Sequence, residues 1–161
     1  MKSLLTLVLC LLALTSLSCS DSSADWQGAE AKAKSYFETL ASAKVAEAYA
    51  MHDADSQLRK ATSEDAFTQL YTDARAKYPS LLNFSTKLEA QKHTSTRAGL
   101  FEFKATLSWK NGYPLKGVEL DGPPLLAEEM RITIKKSGES FALHVVRPWY
   151  DLSQEMQKTK P

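Results

Sequence analysis

The chain has 161 residues, the size of one ordinary domain, with 20 basic and 19 acidic side chains and a formal net charge of +1. Because these charges are balanced and form no basic run, the composition excludes a surface built for nucleic acid or for electrostatic attraction to anionic lipid. The two cysteines are Cys10 and Cys19, so residues 20–161 can form neither a disulfide nor a cysteine nucleophile.

The N-terminus has the layout of a secretory signal. Lys2 supplies a positive charge, Leu4–Leu14 is almost entirely apolar, and Ser18 is a small residue that suits a cleavage site. The apolar run is shorter than the roughly 20 residues that a membrane-spanning helix needs. Residues 1–18 are therefore predicted to be a signal peptide that is removed, together with Cys10.

Cys19 stands directly after this signal. The run resembles the signal of bacterial lipoproteins, in which the cysteine after the cleavage site is lipidated and becomes the new N-terminus. Ser18 fits the small residue before that cysteine, whereas Leu17 stands one place closer to it than the leucine of the usual pattern. The resemblance implies a lasting anchor, because lipoproteins carry several acyl chains and two or more hold a protein on a membrane. Ordinary secretion and an uncleaved anchor are the alternatives.

The residue after Cys19 bears on location. In bacteria with two membranes, lipoproteins with aspartate at this position commonly stay at the inner membrane, and here the residue is Ser20. The resemblance therefore implies an outer-membrane location facing the periplasm, with the membrane as a partner through the lipid on Cys19. We expect an anchor and polar tether over 19–25, a domain over 26–150 and a polar tail over 151–161.

The first half of the domain has helical periodicity. An apolar stripe predicts a first helix with Ser23 as its N-cap, and Val45–Tyr49 predicts a second, shorter helix. A third helix is predicted to start at Thr62 or Ser63, in a capping box, and to end before Pro79. The stripe of the first helix consists of Trp26, Ala29, Ala33, Tyr36, Phe37, Leu40 and Ala41, and that of the third of Phe67, Leu70, Tyr71, Ala74 and Tyr78.

The second half alternates with a period of two. Apolar residues alternate with polar ones over 84–90 and 101–109, which predicts two strands that each bury one face. Residues 129–146 predict a hairpin that turns at Ser137-Gly138, with Phe141, Leu143 and Val145 on the buried face of its second strand. Between these strands, residues 111–126 predict a turn and a loop, with a short edge strand at 115–120.

Helices followed by antiparallel strands predict an α+β fold, in which the N-terminal helices pack on a curved antiparallel sheet of about four strands. Over residues 26–148 this order resembles the NTF2-like, or cystatin-like, superfamily, and in particular its small bacterial lipoproteins and secreted proteins. The resemblance implies the fold and carries over no functional residue. Some members of that superfamily are enzymes, which use an Asp–His pair or acidic residues in the hollow between helix and sheet.

The three histidines are His52, His93 and His144. The first two, each with a nearby acid, are candidates for such a pair, although surface or helix-end positions are expected for all three. The run His52-Asp53-Ala54-Asp55 lacks the spacing of a helical zinc pair and the glycine and glutamate of a calcium loop. The sequence therefore predicts no metal, no other cofactor and no catalytic residue.

An aromatic and basic cluster, Arg147, Trp149 and Tyr150, follows the last predicted strand. Trp, Tyr and Arg dominate the hot spots of protein interfaces. With Trp109 and Tyr113, these residues are candidates for binding a protein partner or an apolar ligand. For Trp149, a cap on the open end of the core is the alternative.

The sequence thus predicts a lipid-anchored, non-catalytic envelope protein that binds a protein or a small ligand through the concave face of its sheet. An NTF2-like enzyme with a His/acid site is the first alternative. An immunity or exclusion lipoprotein, which protects the cell by masking a target, is the second.

Overall fold

The computed structural model describes residues 22–92, 97–110 and 127–146, which form four helices and four strands. The helices are α1 (Ser23–Ala41), α2 (Val45–Ala50), α3 (Gln57–Ala61) and α4 (Glu64–Lys77). The strands are β1 (Phe84–Ala90), β2 (Leu100–Trp109), β3 (Ala127–Ser137) and β4 (Ser140–Val146). None of these four helices has both the length and the apolar character needed to cross a bilayer.

The strands form one antiparallel sheet in the order β1-β2-β3-β4, and α1 packs against one of its faces. This arrangement confirms the predicted α+β fold with helices on a curved sheet. On the helix-side face, the predicted alternation of β2 is complete: Phe101, Phe103, Ala105, Leu107 and Trp109 are all buried. The opposite face of the sheet, called the open face below, carries the charged and polar residues of the strands.

Helix α1 begins earlier than predicted. Its N-cap is Ser22, not Ser23: the Ser22 hydroxyl accepts from the amide of Asp25, and the Asp25 carboxylate accepts from the amide of Ser22. This reciprocal capping box satisfies two backbone donors that the helix itself leaves open. Residues 23–25, which the sequence assigned to the tether, are therefore the first turn of α1.

The region between α2 and α4 also differs from the prediction. The five-residue helix α3, capped by Ser56, is not visible in the sequence periodicity, because it is hardly longer than one turn. The N-cap of α4 is Ser63, which confirms one of the two predicted starts, and its hydroxyl accepts from the amide of Ala66. The predicted capping box, in which Thr62 would be the N-cap, is therefore wrong. The end of α4 before Pro79 is confirmed.

Strand β4 contains an irregularity that changes its buried face. Ile134 pairs with Leu143, but Ile132 pairs with Val146, so β4 has one residue more than β3 between these pairs. Such a bulge shifts the alternation of inward and outward side chains by one residue. Leu143 and Val146 are buried in the core and Val145 is half-buried, which corrects the prediction for Val145.

The domain has two ends, set by the direction of α1 along the sheet. At the end with the N-terminus of α1, Trp26 makes an edge contact with Phe101, and the ammonium of Lys136 pairs with the Asp25 carboxylate. The far end has the C-terminus of α1, and there Phe84 lies with its ring centre 5.6 Å from that of Trp109. Since α1 has 19 residues, the two ends are about 28 Å apart.

Candidate functional site at the outer edge of β4

The segment that follows α2 is attached to the free edge of β4. The amide of Asp53 donates to the carbonyl oxygen of Leu143 at 2.7 Å, and the amide of Leu143 donates to the carbonyl oxygen of Met51 at 3.1 Å. His52 thereby forms a single parallel bridge with Leu143. These bonds place two neighbouring polar residues, His52 and Asp53, at the edge of the sheet.

Asp53 is the centre of a small ionic cluster. Its Oδ2 atom lies 2.7 Å from Nζ of Lys135 on β3 and 3.5 Å from Nδ1 of His144 on β4. Asp55 is more distant, with its carboxylate 3.8 Å from the same Lys135 ammonium. We refer to these four residues as the Asp53 cluster.

The charges within the Asp53 cluster stabilise one another. The hydrogen bond from Lys135 holds the pKa of Asp53 below its usual value, and the amide of Asp55 and the positive charges of Lys135 and His144 act in the same direction. The same hydrogen bond, with the charges of Asp53 and Asp55, raises the pKa of Lys135. Asp53 is therefore an anion and Lys135 a cation throughout the neutral range.

His52 lies on the other side of the bridge, inside the core. Its side chain is buried, with its ring centre 5.4 Å from that of Tyr36, and neither ring nitrogen has a hydrogen-bond partner within the described residues. Burial, with a smaller effect from the Arg59 charge, lowers the pKa of His52 from 6.5 to about 3. The helix-end position expected for His52 is correct, and the structure adds that its side chain is buried.

The chemistry available at this edge is limited to charge and proton transfer. A carboxylate beside an imidazole can orient the ring for proton transfer, as in general acid–base catalysis. In the part of the chain that the structure describes, no group of three or more His, Cys, Asp or Glu side chains is arranged to hold a metal ion. His144, with a side chain 31 % exposed, is accessible to solvent, whereas His52 is not.

Trp109 is the one member of the predicted binding cluster among the described residues. It is buried, and its indole N–H donates to the carbonyl oxygen of Leu81 at 3.1 Å. Trp109 is thus part of the core rather than the wall of an open hollow. The other proposed binding residues, Tyr113, Arg147, Trp149 and Tyr150, lie outside the described residues, as do His93 and Cys19.

The helix-side face of the sheet is not a free binding surface. Its central residues Phe101, Phe103 and Ile132 have at most 1 % of their surface exposed, because the core and α1 cover them. These three residues are therefore covered on that side, and binding through the concave face of the sheet stays a prediction. An open groove of about 280 Å³ lies between α1 and β1, and it is lined by Lys34, Phe37, Glu38, Ala41, Phe84, Ser85 and Thr86.

Comparison of the chain with family models, curated proteins and solved structures finds no match in any of the three.

Proposed function

We propose that this protein is a lipid-anchored, non-catalytic protein of the bacterial cell envelope, which holds a small α+β domain close to the membrane for binding a protein or a small ligand. The observation that carries the proposal is the position of Cys19. It ends an apolar signal-like run and stands only three residues before Ser22, the N-cap of α1. A cysteine placed between a signal and a folded domain suits an attachment point.

The absence of any other cysteine after residue 19 supports this role. A thiol that served the folded domain, as a disulfide partner or a nucleophile, would have its partner residues within the domain. Lipidation at Cys19 accounts for its location, and the outer-membrane assignment follows from Ser20 for a bacterium with two membranes.

The test is the intact mass of the protein extracted from membranes of its own host or of a bacterium that processes lipoproteins. We expect a chain that begins at Cys19 and carries the added mass of acyl chains. A Cys19→Ser variant would be released from the membrane fraction, whereas a Ser20→Ala variant, which keeps the thiol, would remain attached. A mature chain without acyl mass would reject lipidation and favour ordinary secretion.

An enzyme of NTF2-like type is the second candidate, because Asp53 and His144 lie 3.5 Å apart with His144 accessible. This Asp–His pair was not predicted from the sequence, which instead considered His52 and His93. If the pair acts as a general acid or base, Asp53→Asn and His144→Gln would each abolish a turnover measured with the wild-type protein. Wild-type turnover in both variants would remove this candidate.

A further inference from the structure

We infer that the end of the domain with the N-terminus of α1, called the anchor end below, rests on the surface of a phospholipid bilayer, and that the far end, with the groove between α1 and β1, is turned away from it. This inference rests on the proposed lipidation of Cys19. It adds the orientation of the domain relative to the bilayer. One end of the domain then faces the membrane, and the other end is free to bind a partner.

The first step is the length of chain between lipid and fold. Cys19 and Ser22 are separated by three peptide units, so their Cα atoms are at most about 11 Å apart. Ser22 cannot move away from the domain without breaking the capping box that joins it to Asp25. If Cys19 is anchored, the first turn of α1 therefore stays close to the lipid headgroups, because the connecting segment spans at most about 11 Å.

The second step is that this first turn is joined firmly to two other segments. The ammonium of Lys136 pairs with the Asp25 carboxylate, which connects α1 to the end of β3. The amide of Lys136 donates to the carbonyl oxygen of Gly99 at 2.8 Å, which connects β3 to the start of β2. The β3–β4 turn and the residues before β2 therefore approach the bilayer together with α1.

The third step is the chemistry of the anchor end. Lys92, Arg97 and Glu139 are exposed there, and Trp26 is partly buried with the Lys92 ammonium 5.8 Å from its ring centre. Lysine and arginine can pair with headgroup phosphates, and tryptophan is common at the boundary between headgroups and acyl chains. The anchor supplies the membrane affinity, and these side chains favour one orientation over another.

The experiment measures distances from the bilayer on the lipidated full-length protein, reconstituted in vesicles of phosphatidylcholine and phosphatidylglycerol. Because acylation occupies Cys19 and no other cysteine follows, one introduced cysteine gives one labelled site. We choose Glu139→Cys at the anchor end, Ser42→Cys at the far end and Lys87→Cys on the open face, all at exposed positions. Energy transfer to a dye-labelled lipid reports the distance of each label from the membrane.

We expect the label at residue 139 to lie nearest the bilayer, residue 87 at an intermediate distance, and residue 42 about 28 Å further away than residue 139. Equal distances for residues 139 and 42 would overturn the inference, and so would residue 87 being nearest, since the domain would then lie on its open face. Insertion of 20 Gly/Ser residues after Asp21 is the control for the tether. It should move residue 139 away from the bilayer by up to about 25 Å, the mean span of such a linker.

These outcomes are separable from failure of the proposed function. If Cys19 is not acylated, the protein does not bind the vesicles and its mass shows no acyl chains, which rejects the anchor and the inference together. If the protein is acylated and bound but the three distances contradict the expected order, the anchor stands and only the orientation is wrong.

Discussion

The amide nitrogen of Asp53 lies 2.7 Å from the carbonyl oxygen of Leu143, so that the chain after α2 is bonded to the outer edge of β4. The bond holds Met51–Asp53, a stretch whose neighbouring side chains point to opposite sides of the edge. His52 is turned into the core without a charge, while Asp53 meets two basic side chains on the open face.

The Asp53 cluster should hold this attachment in place. In Asp53→Asn the side chain keeps its size but loses the charge that pairs with Lys135, so we expect a lower melting temperature and faster hydrogen exchange at the amides of Asp53 and Leu143. Asp55→Asn is the matched control, because Asp55 is 73 % exposed and lies 3.8 Å from the same ammonium. Equal exchange rates in the two variants would show that the ion pair does not secure the edge.

His52 should make the protein less stable in acid. The unfolded chain takes up a proton on this residue near pH 6.5, whereas the folded protein does so only at a pKa of about 3. Between these values the free energy of unfolding should fall by about 1.4 kcal/mol for each pH unit lost. In His52→Phe, whose ring can keep the contact with Tyr36, the free energy of unfolding should fall less steeply with decreasing pH. Urea unfolding at several acidic pH values measures this slope.

The carboxyl of Asp53, whose pKa lies below its usual value, also loses its stabilising charge as the pH falls through the acid range, so it adds to the acid sensitivity in both proteins. If the unfolding free energy of His52→Phe depends on pH as steeply as that of the wild type, another group causes the acid sensitivity.

Gly28 allows α1 to approach β4 closely. A Cβ atom at this position would lie 2.5 Å from Cε2 of Phe141, so that the ring would have to move. In an unobstructed helix, Gly→Ala stabilises by about 1 kcal/mol. We expect Gly28→Ala to leave the free energy of unfolding of the wild type no higher, because the ring of Phe141 is in the way. In a Phe141→Ala background the same change should raise the free energy of unfolding by about 1 kcal/mol. A double-mutant cycle of unfolding free energies measures the difference. Identical effects in both backgrounds would contradict the close contact.

The capping box at the start of α1 gives a simple comparison of adjacent serines. Ser22→Ala removes the hydroxyl that accepts from the Asp25 amide, and should cost about 1 kcal/mol of unfolding free energy. Ser23→Ala changes a residue inside the first turn and should be neutral or slightly stabilising. Thermal unfolding of the two variants decides which serine is the N-cap, and the reverse order would restore the sequence prediction.

Trp109 should act on stability rather than on binding. Trp109→Phe removes the donor to the Leu81 carbonyl and should cost about 1 kcal/mol, while Trp109→Ala leaves a cavity and should cost about 3–5 kcal/mol. Trp26→Phe is the control, because Trp26 is only partly buried. Loss of partner binding in Trp109→Phe with unchanged stability would return Trp109 to the list of binding residues.

The strands were predictable because their pattern is local. In β2 every second residue is buried without exception, and this alternation is visible in the sequence from Phe101 to Trp109. The stripe of α1 was predictable for the same reason, since its buried residues recur at helical spacing. Both elements bury one continuous face, so the local pattern and the packing agree.

The edge of β4 was not predictable because distant residues decide it. Val145 and Val146 are equally apolar, and the bulge that buries Val146 follows from pairing with β3. His52 stands beside Asp53 and Asp55 in a polar run, and only the bridge to Leu143, about ninety residues later in the chain, turns it inward. The Asp53–His144 contact joins two such distant segments, so no spacing within the sequence indicates it.

The attachment of Met51–Asp53 has a consequence for association between copies of the chain. A free edge strand offers unpaired amide and carbonyl groups to any neighbouring strand, and such edges lead to aggregation. Leu143, in the middle of β4, already has its amide and carbonyl engaged by Met51 and Asp53. At the opposite edge, Lys87 and Glu89 place charges along β1. The short segment after α2 therefore covers the middle of β4 and hinders the pairing of this strand with a strand of another copy of the chain.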